Sequence, residues 1–140
     1  LQAICAAAPR DAHLYCCGPL RMLASFEQAT LSRDAAHVHV EYFSAKEAPA
    51  AQGGFDVELA RTGKVISIAR GSTILDALLA AGVDVPYSCR EGICGSCEAR
   101  VLDGIPDHKD LVLSKEEQAS NSVMMVCCSG ARTSKLVLDL

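Results

Sequence analysis

The sequence predicts an α+β fold for residues 55–140, preceded by a shorter α/β piece, and three observations lead there. First, Phe55-Asp56-Val57-Glu58-Leu59-Ala60 alternates apolar and polar, and Val65 to Ala69 alternates again beyond a Thr62-Gly63-Lys64 turn; together they read as a β-hairpin. Second, Ser72 or Thr73 stands before a run with Ile74, Leu75, Leu78 and Leu79 on one helical face, and Gly82 stops it. Third, later apolar runs at Glu98–Leu102, Val123–Cys128 and Lys135–Leu140 supply strands to close a sheet, with a short helix expected near Ser114–Ser120. A hairpin, a crossing helix and returning strands make the β-grasp arrangement.

The residues before 55 follow another pattern. Leu1, Ile4, Cys5 and Ala8 share a helical face that Pro9-Arg10-Asp11 ends. Ala12 to Cys17 reads as a short buried strand, Gly18-Pro19 turns the chain into a helix over roughly 20–31 with Met22, Leu23 and Phe26 inward, and Ala36 to Phe43 alternates as a second strand. About 43 residues bury too little surface to stand alone, so this α-β-α-β series reads as the tail of a parallel α/β sheet. Ser44 to Gly54 is small, polar and Pro/Gly-bearing, a linker by composition. The expected boundaries are therefore 1–43, 44–54 and 55–140.

Composition excludes several function classes. A net charge of −4 over 140 residues argues against a nucleic-acid partner, which favours a basic face. No apolar run approaches the roughly 18 residues of a membrane helix, and a basic-then-apolar leader is absent, so a cytoplasmic setting without membrane partners is expected. Eight cysteines could build a secreted disulfide scaffold, but the chain is long and aliphatic for that class.

The cysteine spacing speaks for metal chemistry instead. Cys89-Arg90-Glu91-Gly92-Ile93-Cys94-Gly95-Ser96-Cys97 carries the spacing C-x₄-C-x₂-C, the plant-type [2Fe–2S] ligation run, and such a cluster needs a fourth thiolate from elsewhere. Val126-Cys127-Cys128 can supply it, and alternation puts Cys127 and Cys128 on opposite strand faces without saying which faces the loop. Gly92 and Gly95 let the backbone bend tightly enough to aim amides at sulfur. A zinc site would pair two C-x₂₋₄-C knuckles, and a thioredoxin-like dithiol at Cys94–Cys97 would be followed by a helix; neither pattern fits as well. No Cys-x-His pair is present, so a Rieske centre is not expected. Cys5, Cys16 and Cys128 read as small buried hydrophobes, and His13, His37, His39 and His108 as structural or exposed. Asp103, Asp107, Asp110, Glu116 and Glu117 read as an acidic surface able to steer a basic partner.

The run Tyr87 to Glu98, followed by Met124-Met125-Val126-Cys127, resembles the C-terminal ferredoxin domain of phthalate-dioxygenase-reductase-type proteins, a group that includes vanillate O-demethylase oxidoreductases. The resemblance implies that Cys89 and Cys94 hold one iron and Cys97 and Cys127 the other. Leu14-Tyr15-Cys16-Cys17-Gly18-Pro19, with Val40-Glu41-Tyr42-Phe43, resembles the end of the NAD-binding domain of the same reductases. It implies that Cys17, Gly18 and Pro19 lie by the nicotinamide site and that Phe43 packs against flavin. By the same resemblance the chain is the C-terminal part of a longer reductase that uses NADH and FMN. Its flavin domain would be the electron donor and a Rieske-type oxygenase component the acceptor, with the reductase a monomer. A free-standing ferredoxin-like carrier is the alternative.

Overall fold

The computed structural model describes residues 1–46, 48–50 and 52–140. They form two compact units, Leu1–Ser44 and Ala45–Leu140.

In the first unit, α1 (Gln2–Ala7) leads to β1 (Leu14–Cys17), α2 (Leu20–Thr30), a 3₁₀ turn at Ala35–His37 and β2 (Val38–Glu41). β1 and β2 pair in parallel, Leu14 opposite Val38 and Cys17 opposite Glu41, with α2 as the crossover. Leu23, Phe26 and Thr30 are buried at helical spacing. The Arg33 guanidinium donates to the Cys5, Ala8 and Pro9 carbonyls at 2.7, 2.7 and 2.8 Å, satisfying acceptors that the end of α1 leaves unpaired. Three expectations need correction. Ile4 is 71% exposed, so of the expected face of α1 Cys5 alone is buried within that helix. β1 is not a buried strand: its side chains alternate between half-buried and exposed, because β2 is its one partner strand among the described residues. The second strand is shorter than 36–43, since a 3₁₀ turn capped by Asp34 occupies its start and it ends at Glu41.

The second unit is built on a five-stranded sheet of order β4-β3-β9-β5-β7, from β3 (Phe55–Leu59), β4 (Lys64–Ile68), β5 (Glu98–Asp103), β7 (Val123–Met125) and β9 (Lys135–Leu138). β3 and β9 run parallel and the other pairs antiparallel. Two-residue strands β6 (Pro106–Asp107) and β8 (Gly130–Ala131) pair beside it. The alternation of Phe55–Leu59 is realised, with Phe55, Val57 and Leu59 buried. α3 (Ile74–Ala80) starts at Thr73, whose hydroxyl accepts from the Asp76 N–H, and it turns Ile74, Leu75 and Leu78 into a core with Val57, Met124, Leu136 and Leu138. Each fully buried aliphatic side chain contributes about 1.5–3 kcal/mol. α4 (Lys115–Ser120) is set by a capping box between Ser114 and Glu117.

The last strand before the second thiol pair is also shorter than expected. β7 stops at Met125, and Val126–Cys128 form a turn in which the Cys128 and Ser129 amides both donate to the Met125 carbonyl. Of the expected linker 44–54, residues 47 and 51 lie outside the described residues. Its second half is bonded into this unit: Ala50 N–H donates to Cys128 O at 2.7 Å and Gly54 N–H to Ile68 O at 2.8 Å.

Candidate metal centre

The segment from α3 to β5 is a loop held at both ends by burial, Val85 before it and Cys97 at its close. Inside it Arg90 (φ 59°), Gly92 (φ 71°) and Gly95 (φ 77°) all adopt the left-handed conformation, so the backbone curls on itself. The curl turns amides inward: Glu91 and Ile93 N–H donate to the Cys89 sulfur at 3.3 and 3.5 Å. Arg90 is the one non-glycine among the three. Its guanidinium lies 4.7 Å from the Tyr87 ring centre and 3.2 Å from the Asp76 carboxylate, contacts that offset its backbone strain.

Two further segments close on this loop. The turn after β7 brings Cys127 to it, with Val126 N–H donating to Cys97 O at 3.2 Å. Residues 108–113 cross beside it, with Leu111 N–H donating to Gly92 O at 2.9 Å. A Cβ on Gly92 would lie 2.5 Å from Cys128 Sγ and 3.1 Å from Asp110 Cα. The close approach of all three segments therefore requires glycine at 92.

The thiols gather in pairs. Cys94 lies against Cys89 on the open side, and Cys97 hydrogen-bonds Cys127 on the buried side. The Cys94 thiol is lowered to about 6, first by the Ser96 hydroxyl, 3.4 Å away, and then by the Cys89 backbone. Cys97 is pushed up by the hydrogen bond with Cys127 and by burial. Cys127 is pushed up to about 12 by the Cys128 thiol and by burial, against the lowering influence of Cys97 and the Gly92 N–H. Among the described residues no three His, Cys, Asp or Glu side chains gather around one point. Two adjacent thiol pairs under inward amides suit a binuclear iron core, whose sulfurs need both thiolate ligation and hydrogen-bond donors.

Comparison with known proteins decides which core is meant. Residues 57–132 match the family described as the 2Fe-2S iron-sulfur cluster binding domain. The chain belongs to that family. Over all 140 residues it is 61% identical to the phenoxybenzoate dioxygenase subunit beta of Ectopseudomonas oleovorans, of which it spans 44%. Among solved structures it resembles an intact type IV self-sufficient cytochrome P450 monooxygenase, with TM-score 0.83 and 42% identity over 99% of this chain and 18% of that one. It also resembles phthalate dioxygenase reductase, described as a modular structure for electron transfer from pyridine nucleotides to [2Fe-2S]; the TM-score is 0.72 and the identity 36% over 99% of this chain and 43% of that one. The chain thus spans less than half the length of these relatives. The second unit is a 2Fe–2S ferredoxin-like domain whose cofactor is a [2Fe–2S] cluster, and its role is electron transfer.

Other expected site residues fall on the first unit. Cys17 ends β1 and is exposed, Gly18 is its bent successor (φ 149°), Pro19 caps α2, and Phe43 is 67% exposed. A cleft of about 140 Å³ is lined by Tyr15, Cys16, Cys17, His39 and Glu41; it includes Cys17 but not Gly18, Pro19 or Phe43.

Three sequence readings change around the 2Fe–2S domain. Cys127 and Cys128 do not alternate across a strand: both lie in the turn and both are 2% exposed. Asp110 is not part of an acidic surface, for its side chain is fully buried beside His108, also buried. Asp107 is neutralised by Lys109 and Arg132 at 3.6 and 3.2 Å. The signal for Asp110 was the sequence Asp-Leu-Val-Leu: its carboxylate accepts from the Val112 and Leu113 amides at 3.2 and 2.8 Å, the local turn that an aspartate ahead of two further residues forms.

Proposed function

We propose that the chain is the electron-output end of a longer reductase, with Cys89, Cys94, Cys97 and Cys127 as the four ligands of its [2Fe–2S] cluster. Residues 1–43 are then the C-terminal remnant of an NAD-binding domain, 44–54 the connection and 55–140 the ferredoxin-type β-grasp domain. Electrons come from NADH through FMN in a flavin domain and leave one at a time to an aromatic-ring oxygenase of the Rieske type, in the cytoplasm, with the reductase a monomer. The observation that carries this reading is the approach of a fourth thiol to three at C-x₄-C-x₂-C: the turn that holds Cys127 is bonded to the loop by Val126 N–H donating to Cys97 O at 3.2 Å. The dioxygenase named in the 61% identical relative supports the acceptor class. The pyridine nucleotides in the description of phthalate dioxygenase reductase support the donor.

A bound [2Fe–2S] cluster supplies reversible storage of single electrons. The chain's residues do the rest. Cys97 and Cys127 hold the buried side and exclude water from it. Cys89 and Cys94 hold the open side, where a partner can approach. Amides of Glu91 and Ile93 donate to sulfur and stabilise its negative charge, one of the levers on reduction potential. No proton is transferred and no bond to substrate is broken, so no general acid or base is required. Cys17, Gly18 and Pro19 serve the nicotinamide side and Phe43 the flavin.

A second reading, supported by the likeness to a self-sufficient cytochrome P450 monooxygenase, makes a cytochrome P450 the acceptor in place of a Rieske centre. A free-standing carrier remains the alternative in which residues 1–43 have no nucleotide role. Anaerobic reconstitution with iron and sulfide should give two irons per chain, a reddish colour and a paramagnetic signal after dithionite, lost in Cys94→Ser. A colourless protein with one zinc per chain would overturn the reading. Turnover with a Rieske oxygenase or a P450, each supplied with the NADH-reduced parent, separates the acceptors.

A further inference from the structure

The segment 108–113 belongs to neither thiol-bearing stretch, yet it touches both. Its Leu111 amide donates to Gly92 O in the ligand loop, and its Lys109 amide donates to Ser129 Oγ, 3.3 Å away, just past the Cys127 turn. Gly92 in turn lies against the Cys127 turn, where a Cβ on it would stand 2.5 Å from Cys128 Sγ. The position of that peptide is therefore set from the far side by 108–113. At the middle of the segment Asp110 is buried, with one carboxylate oxygen accepting from Val112 and Leu113 N–H. The other oxygen has no hydrogen-bond partner among the described residues; its neighbour is His108 Nδ1, 3.6 Å away, on a ring whose two nitrogens are likewise buried and unpaired. A buried carboxylate with one unsatisfied oxygen is costly, and a surface loop of this length does not need one for stability.

We propose that Asp110 is a positioning residue for the [2Fe–2S] cluster: through Leu111 it fixes the Gly92 peptide against the Cys127 turn, and its buried carboxylate beside the loop holds the reduction potential down. The inference rests on the ligand assignment above. The chemistry is general: reduction adds one negative charge, a nearby buried anion opposes it, and low local dielectric magnifies the opposition. The His108 ring, its Nδ1 3.6 Å from the free oxygen, is a polar neighbour that moderates this opposition.

The test compares reconstituted wild-type, Asp110→Asn and His108→Phe chains by iron content, redox titration and thermal unfolding. Asparagine keeps an oxygen for the Val112 and Leu113 amides and removes the charge. We expect unchanged iron content and about a tenfold rise in the reduced-to-oxidised ratio at fixed applied potential, an upward shift of about 59 mV for one electron. His108→Phe takes the polar neighbour from the carboxylate and shifts the ratio the other way by a smaller factor. Lowered unfolding temperatures with potentials unchanged in both variants would overturn the inference, and so would shifts of the same sign in both. Should Asp110→Asn fail to fold, His108→Phe decides alone: a downward shift supports the role and an unchanged potential removes it. A wild-type chain that takes up no iron overturns the ligand set, and this inference with it. A wild-type chain that does, with both variants unshifted, overturns this inference only.

Discussion

The two thiol pairs are opposites in everything but their chemistry. Cys97 and Cys127 are each 2% exposed, tied to each other and pushed toward the protonated form. Cys94, exposed, is lowered to about 6 by a hydroxyl and by loop backbone. One side is preorganised but holds its protons; the other is ready to ligate but open to solvent. On the proposed ligand set, metal loading displaces protons from the buried pair, so its pH dependence reports that side, whereas oxidation and partner contact act on the open one.

The largest effect is expected on the buried side. Cys127→Ala should abolish the visible absorbance after reconstitution, and Cys128 should not rescue it, because its sulfur is packed against the Gly92 Cα. Colour retained in this variant would mean that the two adjacent cysteines exchange roles. Next comes Gly92→Ala, which places a methyl 2.5 Å from Cys128 Sγ at a positive φ. A loss of about 1–3 kcal/mol from backbone strain alone is expected, read by denaturant unfolding, together with weaker iron retention.

The third prediction separates the pairs by pH in the metal-free chain. Iodoacetamide should modify Cys94 first, with its rate half-maximal near pH 6, and reach Cys97 and Cys127 only on unfolding, as mass spectrometry of peptides would show. The stability consequences have opposite sign. Cys94, lowered from 9.0 to about 6, stabilises the fold above pH 9 and loses that contribution as pH falls through 6. Cys127, raised from 9.0 to about 12, stabilises it below pH 9 and loses that contribution as pH climbs toward 12. The smallest effect is Ser96→Ala, which removes the first cause of the Cys94 shift and should move the alkylation midpoint up toward the ordinary thiol value.

Much of the ligand loop was legible because its information is local: the spacing of Cys89, Cys94 and Cys97 and the glycines between them require no distant partner to be recognised. The same holds for Phe55–Leu59, where strict alternation meets one buried face, and for Thr73 and Ser114, whose caps act within three residues. Cys127 is singled out over Cys128 as the proposed fourth thiol only by resemblance, and its surroundings were misread. Val123–Cys128 has the composition of a strand, but the chain must leave the sheet at Met125 to reach the loop, a tertiary demand that overrides propensity. The burial of Asp110 and His108 was illegible for a related reason, although the local turn at Asp110 was not. In a polar stretch a charged residue reads as surface, and only the crossing of 108–113 over Gly92 buries it. β1 erred the other way: Leu14–Cys17 is apolar enough for a core, but burial depends on neighbours, and among the described residues β2 alone pairs with it.

The strand order has a consequence for biosynthesis. Among the described residues β9 follows every other strand in the chain yet lies between β3 and β5, so the middle of the sheet is synthesised after both of its flanks. Until Lys135–Leu138 emerge, the hairpin that carries β3 and the half that carries β5 and β7 have no shared backbone ladder, and the nascent thiols have no rigid frame. A frame that holds the ligand loop and the Cys127 turn together therefore exists only once Lys135–Leu138 pair between the two halves.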